Sequence, residues 1–278
     1  MKTLKLNRLI LGCGLLLATS ALVAAENPAP SDEVVKAQEL AKKLSNPIAS
    51  LISVPFQFNF DAGYGPDSKG SKFVMNVQPV IPISLNEDWN VISRTIMPVI
   101  YQSDVIPNSS QGGLGDFLQS LFFSPNAPVG GMIIGVGPAL LLPTATDDRL
   151  GAEQWAAGPT AVLLKQHQGW TFGVLANHLW DFAGNDERDD VNATLLQPFV
   201  SFSTKTATTF SMNTEATYNW DAAAEPWSIP VNFSVAQLIK IGKAPVQLSG
   251  GLRYWAETPA NGPSEWGFRF GVTLLFPK

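Results

Sequence analysis

Cysteine is all but missing from this chain: Cys13 is the only one in 278 residues. Disulfide-held small folds and thiolate metal sites are therefore excluded beyond residue 13. Histidine is nearly as scarce, with His167 and His178 alone. Long apolar runs are absent too once the first 25 residues are set aside. Met132–Pro143 is the longest, well short of the roughly 18 continuous apolar residues that a membrane-spanning helix requires.

The first 25 residues differ from the rest. Lys2, Lys5 and Arg8 precede an apolar core from Leu9 to Ala18, and Val23 and Ala25 supply small residues before Glu26. That is the pattern of a secretory signal, cleaved before Glu26. A lipoprotein signal bearing its lipid on Cys13 is the rival. Only about four apolar residues precede Cys13 and the core continues past it, which favours simple cleavage. Removing Lys2, Lys5 and Arg8 from 18 basic residues leaves 15 against 23 acidic ones, a net of −8. Such a surface argues against a nucleic-acid partner.

What the remainder has in abundance is alternation. Val54, Phe56, Phe58 and Phe60 alternate with Pro55, Gln57, Asn59 and Asp61; Phe210, Met212, Ala216, Tyr218 and Trp220 alternate with polar neighbours; Val246, Leu248, Leu252 and Tyr254 do the same. Successive side chains of a strand point to opposite faces, so each segment has an apolar and a polar face. The pattern predicts strands at 54–61, 72–84, 89–101, 114–123, 131–142, 155–165, 170–181, 191–202, 208–220, 227–239, 245–255 and 266–276. A soluble sandwich would alternate as well. Connection length decides between them: tight turns at 85–88, 166–169, 203–207 and 240–244 alternate with longer connections rich in Gly, Pro, Asn and Asp, as in outer-membrane barrels. All eight tryptophans fall near predicted strand ends, where indole rings suit a membrane–water boundary. The expected fold is all-β, a transmembrane antiparallel β-barrel of about 12 strands preceded by a short N-terminal amphipathic helix.

The division expected is a signal peptide at 1–25, an N-terminal helical segment at 26–52 and an outer-membrane barrel at 53–278. In the middle segment Ser31 is a plausible N-cap, and Val34, Ala37, Ala41 and Leu44 share a helical face before Pro47. Plugging the lumen and lying on the periplasmic side both stay open for it. Pro79, Pro98, Pro138, Pro159, Pro198 and Pro230 fall inside predicted strands. A closed barrel has no edge on which to place them, so bulges or kinks are expected there. Kinks of that kind could open a sideways route for apolar molecules; prolines near strand ends or beside lumen water are the plainer alternative.

Several runs carry a resemblance: "SNPIASLISVPFQFNFDAGYGP", "NVQPVIPISLNEDWNVISRTIMPVIYQ", "GGLGDFLQSLFFSP", "LGAEQWAAGPTAVLLKQ", "WTFGVLANHLW", "NTEATYNW" and "LRYWAETP…WGFRFGVTLLFPK". They resemble a bacterial family of outer-membrane transporters grouped with the meta-pathway phenol-degradation proteins, whose members are often misnamed neuromedin U. The resemblance implies a bacterial outer-membrane barrel that passes small hydrophobic or aromatic compounds by passive diffusion. It supplies no catalytic motif.

The polar face gives the lumen candidates: Gln57, Asn59, Asp61, Asn76, Gln78, Arg94, Asp116, Asn177, Asp181, Asn213, Glu215, Arg253 and Arg269. The charged members Asp61, Arg94, Asp116, Asp181, Glu215, Arg253 and Arg269 are the selectivity candidates. If Phe276 lies near Val54, antiparallel counting sets Arg269 near Asp61 across the closing seam. A salt-bridge lattice that stiffens the wall is the alternative to a charged constriction. Gly135, Gly137 and Ala139 keep one stretch of interior wall thin, for a pore or for a packed plug. A non-conducting structural barrel and a wall-mounted lipid hydrolase using His178 are the competing functions. The acidic loop residues Asp147, Asp148, Asp186, Glu187, Asp189 and Asp190 either bind cations among lipopolysaccharide phosphates or simply solvate the loops. Expected partners are outer-membrane lipids and lipopolysaccharide, the barrel assembly machinery and a small solute. No cofactor, metal or catalytic residue is expected.

Overall fold

The computed structural model describes residues 32–264 and 266–277. The signal segment, its cleavage point and Ser31 lie outside them. Twelve antiparallel strands close into one barrel. They are β1 (Ile52–Tyr64), β2 (Gly70–Val77, resuming as Val80–Ser84), β3 (Trp89–Ser103), β4 (Ser110–Leu114, resuming as Phe117–Pro125), β5 (Ile133–Leu142) and β6 (Gln154–His167). There follow β7 (Trp170–Gly184), β8 (Asn192–Ser203), β9 (Thr208–Thr214, resuming as Ala216–Asn219), β10 (Trp227–Ile241), β11 (Ala244–Glu257) and β12 (Trp266–Phe276). Each strand pairs with the next, and β12 returns to β1 from Ile52↔Phe276 to Phe60↔Phe268. Closure leaves no row of unpaired backbone groups at an edge, which is the condition for a sheet to cross lipid.

The alternation maps onto the two faces of the wall. Along β12, Trp266, Phe268, Phe270, Leu274 and Phe276 are exposed, while Gly267 and Gly271 are buried. Phe60, Phe73, Phe123, Phe172, Phe210 and Phe233 extend the same apolar exterior around the barrel. Buried polar groups such as Asn59, Asp61, Thr160, Asn177, Asn232 and Arg253 face inward. Seven of the eight tryptophans are 42–58% exposed. Trp89 and Trp170 lie at the short-turn end, and Trp155, Trp180, Trp220, Trp227 and Trp266 at the long-loop end. Trp255 departs from the expected boundary belt: it turns inward, and its Nε1 donates to Asp61 Oδ1 at 2.9 Å.

The prolines fall where the wall departs from a regular ladder. Pro79 lies in the break of β2, and Pro98 accepts from Gly115 N at 2.9 Å beside the break of β4. Pro198 and Pro230 flank the break of β9 at Glu215, and β10 shifts register between Ile229 and Pro230. Pro138 and Pro159 oppose each other across β5 and β6. Their missing donors are aimed away from one another, and there the ladders lapse: between Ser120↔Ala139 and Phe123↔Val136 on one side, and between Ala157↔Trp180 and Thr160↔Asn177 on the other. Each missing N–H thus coincides with an interruption instead of orphaning a carbonyl within a continuous ladder.

The N-terminal segment lies across the short-turn end. Helix α1 (Asp32–Leu44) carries Asp32 and Glu33 in its first turn and Lys42 and Lys43 in its last, which suits the helix dipole. Gln38 Nε2 donates to the Lys205 carbonyl, Gln166 Nε2 donates to the Lys42 carbonyl at 2.8 Å, and Lys240 Nζ meets Glu33 at 2.7 Å. Ala41 is fully buried and Leu40 and Leu44 pack on Ala49, Leu51 and Leu275, whereas Val34, expected on that face, stays exposed. After α1 the chain turns into the lumen. Ile48 is 3% exposed among the inward-facing Val80, Ile92, Phe122, Val162, Leu164 and Leu175. Gly135 leaves it room: a Cβ there would stand 2.9 Å from Ile48 Cδ1.

Candidate functional site

Above the apolar layer around Ile48, the interior becomes polar and charged. Its centre is an ion pair between distant strands. Arg269, on β12, donates from Nη1 and Nη2 to the two carboxylate oxygens of Glu215, each at 2.9 Å, and from Nε to Asn59 Oδ1 at 2.7 Å. Glu215 faces inward on the same alternation as Ser211 and Asn213, and it lies at the break of β9 between Thr214 and Ala216. The forked geometry matches a planar guanidinium to a carboxylate. The Gln57 amide lies 2.6 Å from Gln78 Nε2 and 2.8 Å from Arg269 Nε and Nη1, its oxygen accepting from one side or the other.

A second pair lies nearer the loop end. Asp61 and Arg253 approach at 3.5 Å with both side chains under a tenth exposed, and Trp255 lies under the Arg253 guanidinium at 4.8 Å. The Arg253 Nε has no hydrogen-bond partner among the described residues. Gly267 makes this possible, since a Cβ on it would come within 2.2 Å of Asp61 Oδ1. Arg94 joins the first pair only through the Gln78 and Gln57 amides. Its Nη2 donates to Gln78 Oε1 at 3.0 Å, and among the described residues no carboxylate lies within ion-pair distance of it.

The expected contact between Arg269 and Asp61 is not formed. The seam pairs Phe276 with Ile52, two residues from the register assumed, which sets Arg269 opposite Asn59. Asp61 takes Arg253 instead, and Arg269 takes Glu215. Two further candidates serve the loops. Asp116 accepts from Ala145 N at 3.1 Å and from Ala152 N at 2.6 Å, tying down the connection between β5 and β6. Asp181 accepts from Val191 N at 2.9 Å beside the connection between β7 and β8. Neither joins the charged centre. Missing from the sequence reading are Trp255, inward at a strand end, and the run from Ser45 to Leu51 inside the barrel. The hint for that run was an apolar stretch, Ile48–Ile52, that begins before any alternation does.

A cavity of about 260 Å³ lies between the N-terminal segment and the wall, lined by Leu44, Pro47, Arg94, Phe199, Ser201 and Ser249 among others. On the outer surface, a groove of about 490 Å³ is lined by Trp170, Phe202, Phe210, Phe233, Val235 and Leu252. The two hollows share Val200, Ser201, Ser211, Met212 and Ser234, so one strip of β8, β9 and β10 separates them. Ser211 and Ser234 join across it, oxygen to oxygen at 2.7 Å. Among the described residues no group of three His, Cys, Asp or Glu side chains is placed to hold a metal ion.

No protein-family model and no curated protein matches the chain. Solved structures do. An outer-membrane channel from Pseudomonas putida F1 superposes with a TM-score of 0.64 over 82% of this chain and 96% of its own, at 14% identity. Outer-membrane phospholipase A from Escherichia coli gives a TM-score of 0.49 over 86% of this chain and 98% of its own, at 11% identity. The NanC porin gives 0.48, with 82% and 100% covered, at 10% identity. At such identities the likeness is one of fold. The closed barrel and its apolar, aromatic-bounded exterior place the chain in the bacterial outer membrane.

His178 lies on the outer surface of the wall beside Trp180, ring to ring at 3.9 Å. Its Nδ1 is 2.6 Å from Thr194 Oγ1, and Trp220 Nε1 donates to that same oxygen at 2.8 Å. His178 Nε2 is buried without a partner among the described residues.

Proposed function

We propose that the protein is a passive outer-membrane channel for small hydrophobic or aromatic compounds and performs no catalysis. The observation that carries this reading is the pair of back-to-back hollows, one in the lumen and one apolar and open to lipid, with a single strip of small and flexible residues between them. Solutes that partition into the bilayer can collect in the outer groove; free polar solutes meet the apolar layer around Ile48 at the short-turn end. The family resemblance in the sequence points the same way. Uptake of a neutral aromatic such as benzyl alcohol into proteoliposomes, against empty vesicles, tests it. Equal rates with and without inserted protein would leave the reading without support.

A wall-mounted hydrolase has one observation in its favour, the short contact between His178 and Thr194. A nucleophilic hydroxyl needs a base that a third group orients, and among the described residues Nε2 has no such group. The hydroxyl also accepts from Trp220, which suits an aromatic boundary cluster. Phospholipid hydrolysis abolished by His178→Ala would reinstate the enzyme.

A further inference from the structure

We infer that the lumen cavity is a binding site for an amphipathic monocarboxylate, with Arg94 as its anion anchor. The inference rests on the channel reading for its biological meaning and on the cavity itself for its chemistry. Three guanidinium groups, Arg94, Arg253 and Arg269, face two carboxylates, Asp61 and Glu215. Both carboxylates are taken: Arg253 stands 3.5 Å from Asp61, and Arg269 occupies both oxygens of Glu215. Among the described residues Arg94 is left with one neutral amide, Gln78 Oε1. A guanidinium presents five N–H donors in a planar fork, so one amide leaves most of that capacity unused. A half-buried cation held this way favours an anion, and a carboxylate fits the fork in two places at once.

The cavity beside Arg94 has the size and lining such a ligand requires. Its volume of about 260 Å³ is near the lower end for small-molecule sites. Leu44, Pro47 and Phe199 offer it an apolar side. Ser201 offers the opposite: it is 6% exposed, lines the cavity, and its Oγ has no hydrogen-bond partner among the described residues. An unpartnered buried hydroxyl is unfavourable unless a ligand or water satisfies it. A cation and an idle donor, both lining one partly apolar hollow, describe a receptor for a carboxylate on a small hydrocarbon or aromatic body. A neutral phenol or alcohol would satisfy the hydroxyl and leave the guanidinium unmatched. An ammonium compound would be repelled.

Benzoate and its neutral counterpart benzyl alcohol separate these cases. Calorimetric titration of the full barrel in a non-ionic detergent at neutral pH is expected to give saturable benzoate binding at least tenfold tighter than benzyl alcohol. Arg94→Gln is expected to erase that preference, with benzyl alcohol binding unchanged, and Arg94→Lys to keep part of it. Heat-modifiable mobility on a gel reports whether each variant remains a folded barrel. If Arg94→Gln does not fold, the wild-type comparison and Arg94→Lys decide. Equal affinities in the wild type, or a preference that survives in folded Arg94→Gln, would overturn the site. The channel reading fails separately: protein that binds benzoate but passes no neutral aromatic into vesicles keeps the site and loses the channel. Protein that passes the neutral solute without preferring benzoate does the reverse.

Discussion

The ion pair between Arg269 and Glu215 joins side chains that the sequence separates by 54 positions and that the barrel brings face to face. Both are largely enclosed, at 10% and 28% side-chain exposure. Removing one partner from such a pair strands the other charge in a medium that solvates it poorly. Arg269→Ala is therefore expected to cost about 3–5 kcal/mol, read from the urea midpoint of the barrel refolded into detergent. Replacing both, as in Arg269→Met with Glu215→Leu, is expected to cost much less, since no charge is stranded. If the single and double variants unfold together, the pair is not what stabilises this layer. The glycines in the wall make an independent case. A Cβ on Gly158 would lie 1.8 Å from the His178 carbonyl oxygen, where the β6–β7 ladder lapses. Backbone cannot yield as a flexible side chain can, so Gly158→Ala is expected to cost roughly 1–3 kcal/mol by overpacking, measured in the same titration.

Helix α1 and the run that follows it lie together at the short-turn end, the helix against the turns and the run inside the barrel. Ile48 holds the run by burial among apolar side chains, and Ile48→Glu would replace those contacts with a carboxylate set into an apolar layer. The expected result is a rise in single-channel conductance with the barrel's mobility on gels unaltered; unchanged conductance would mean that the run does not obstruct the lumen. The helix itself is tied partly by charge. The hydrogen bond from Lys240 holds the Glu33 carboxyl below its ordinary value of 4.5, and the Lys240 and Lys36 charges add to this. A lowered acid contributes fully above its ordinary value and loses that contribution as pH falls through its shifted one. A spin label at Glu39→Cys should therefore become more mobile on acidification below 4.5, and Glu33→Gln should remove that pH dependence. The twelve strands were legible from alternation and connection length because period two assigns a face to every residue. The register across the seam was not, since the shear of a barrel slides one strand along another in steps that preserve the faces. That is why Arg269 was expected beside Asp61 and is found two residues away, beside Asn59. Asp116 and Asp181 carry the same charge as the interior carboxylates, and nothing local distinguishes a carboxylate that ties a loop from one that lines a lumen.

At the largest scale, the stability of the barrel depends on where its outer face meets lipid. Trp266, Phe268, Phe270, Leu274 and Phe276 run along β12 in one outward column, from the long-loop boundary to the short-turn one, and each is exposed. Because they share a strand and a face, they sample depth with little change in side-chain neighbourhood. An arginine costs most at the midplane, about 2–4 kcal/mol, and falls to about 0–1 near either boundary, where its stem can reach water. Phe270→Arg is accordingly expected to destabilise the barrel in vesicles well beyond Trp266→Arg, with Phe276→Arg again mild. Inward positions provide the control: Thr273, on the same strand but facing the lumen, should accept a lysine with little dependence on depth. A flat profile along the column would mean that β12 does not span the bilayer in this orientation. A profile peaking at Phe270 would fix the height of the membrane against the interior layers. Asn59, which the seam pairs with Arg269, lies one strand away and one residue from Phe270's own partner Phe58, so the bidentate pair would then sit close to the bilayer midplane.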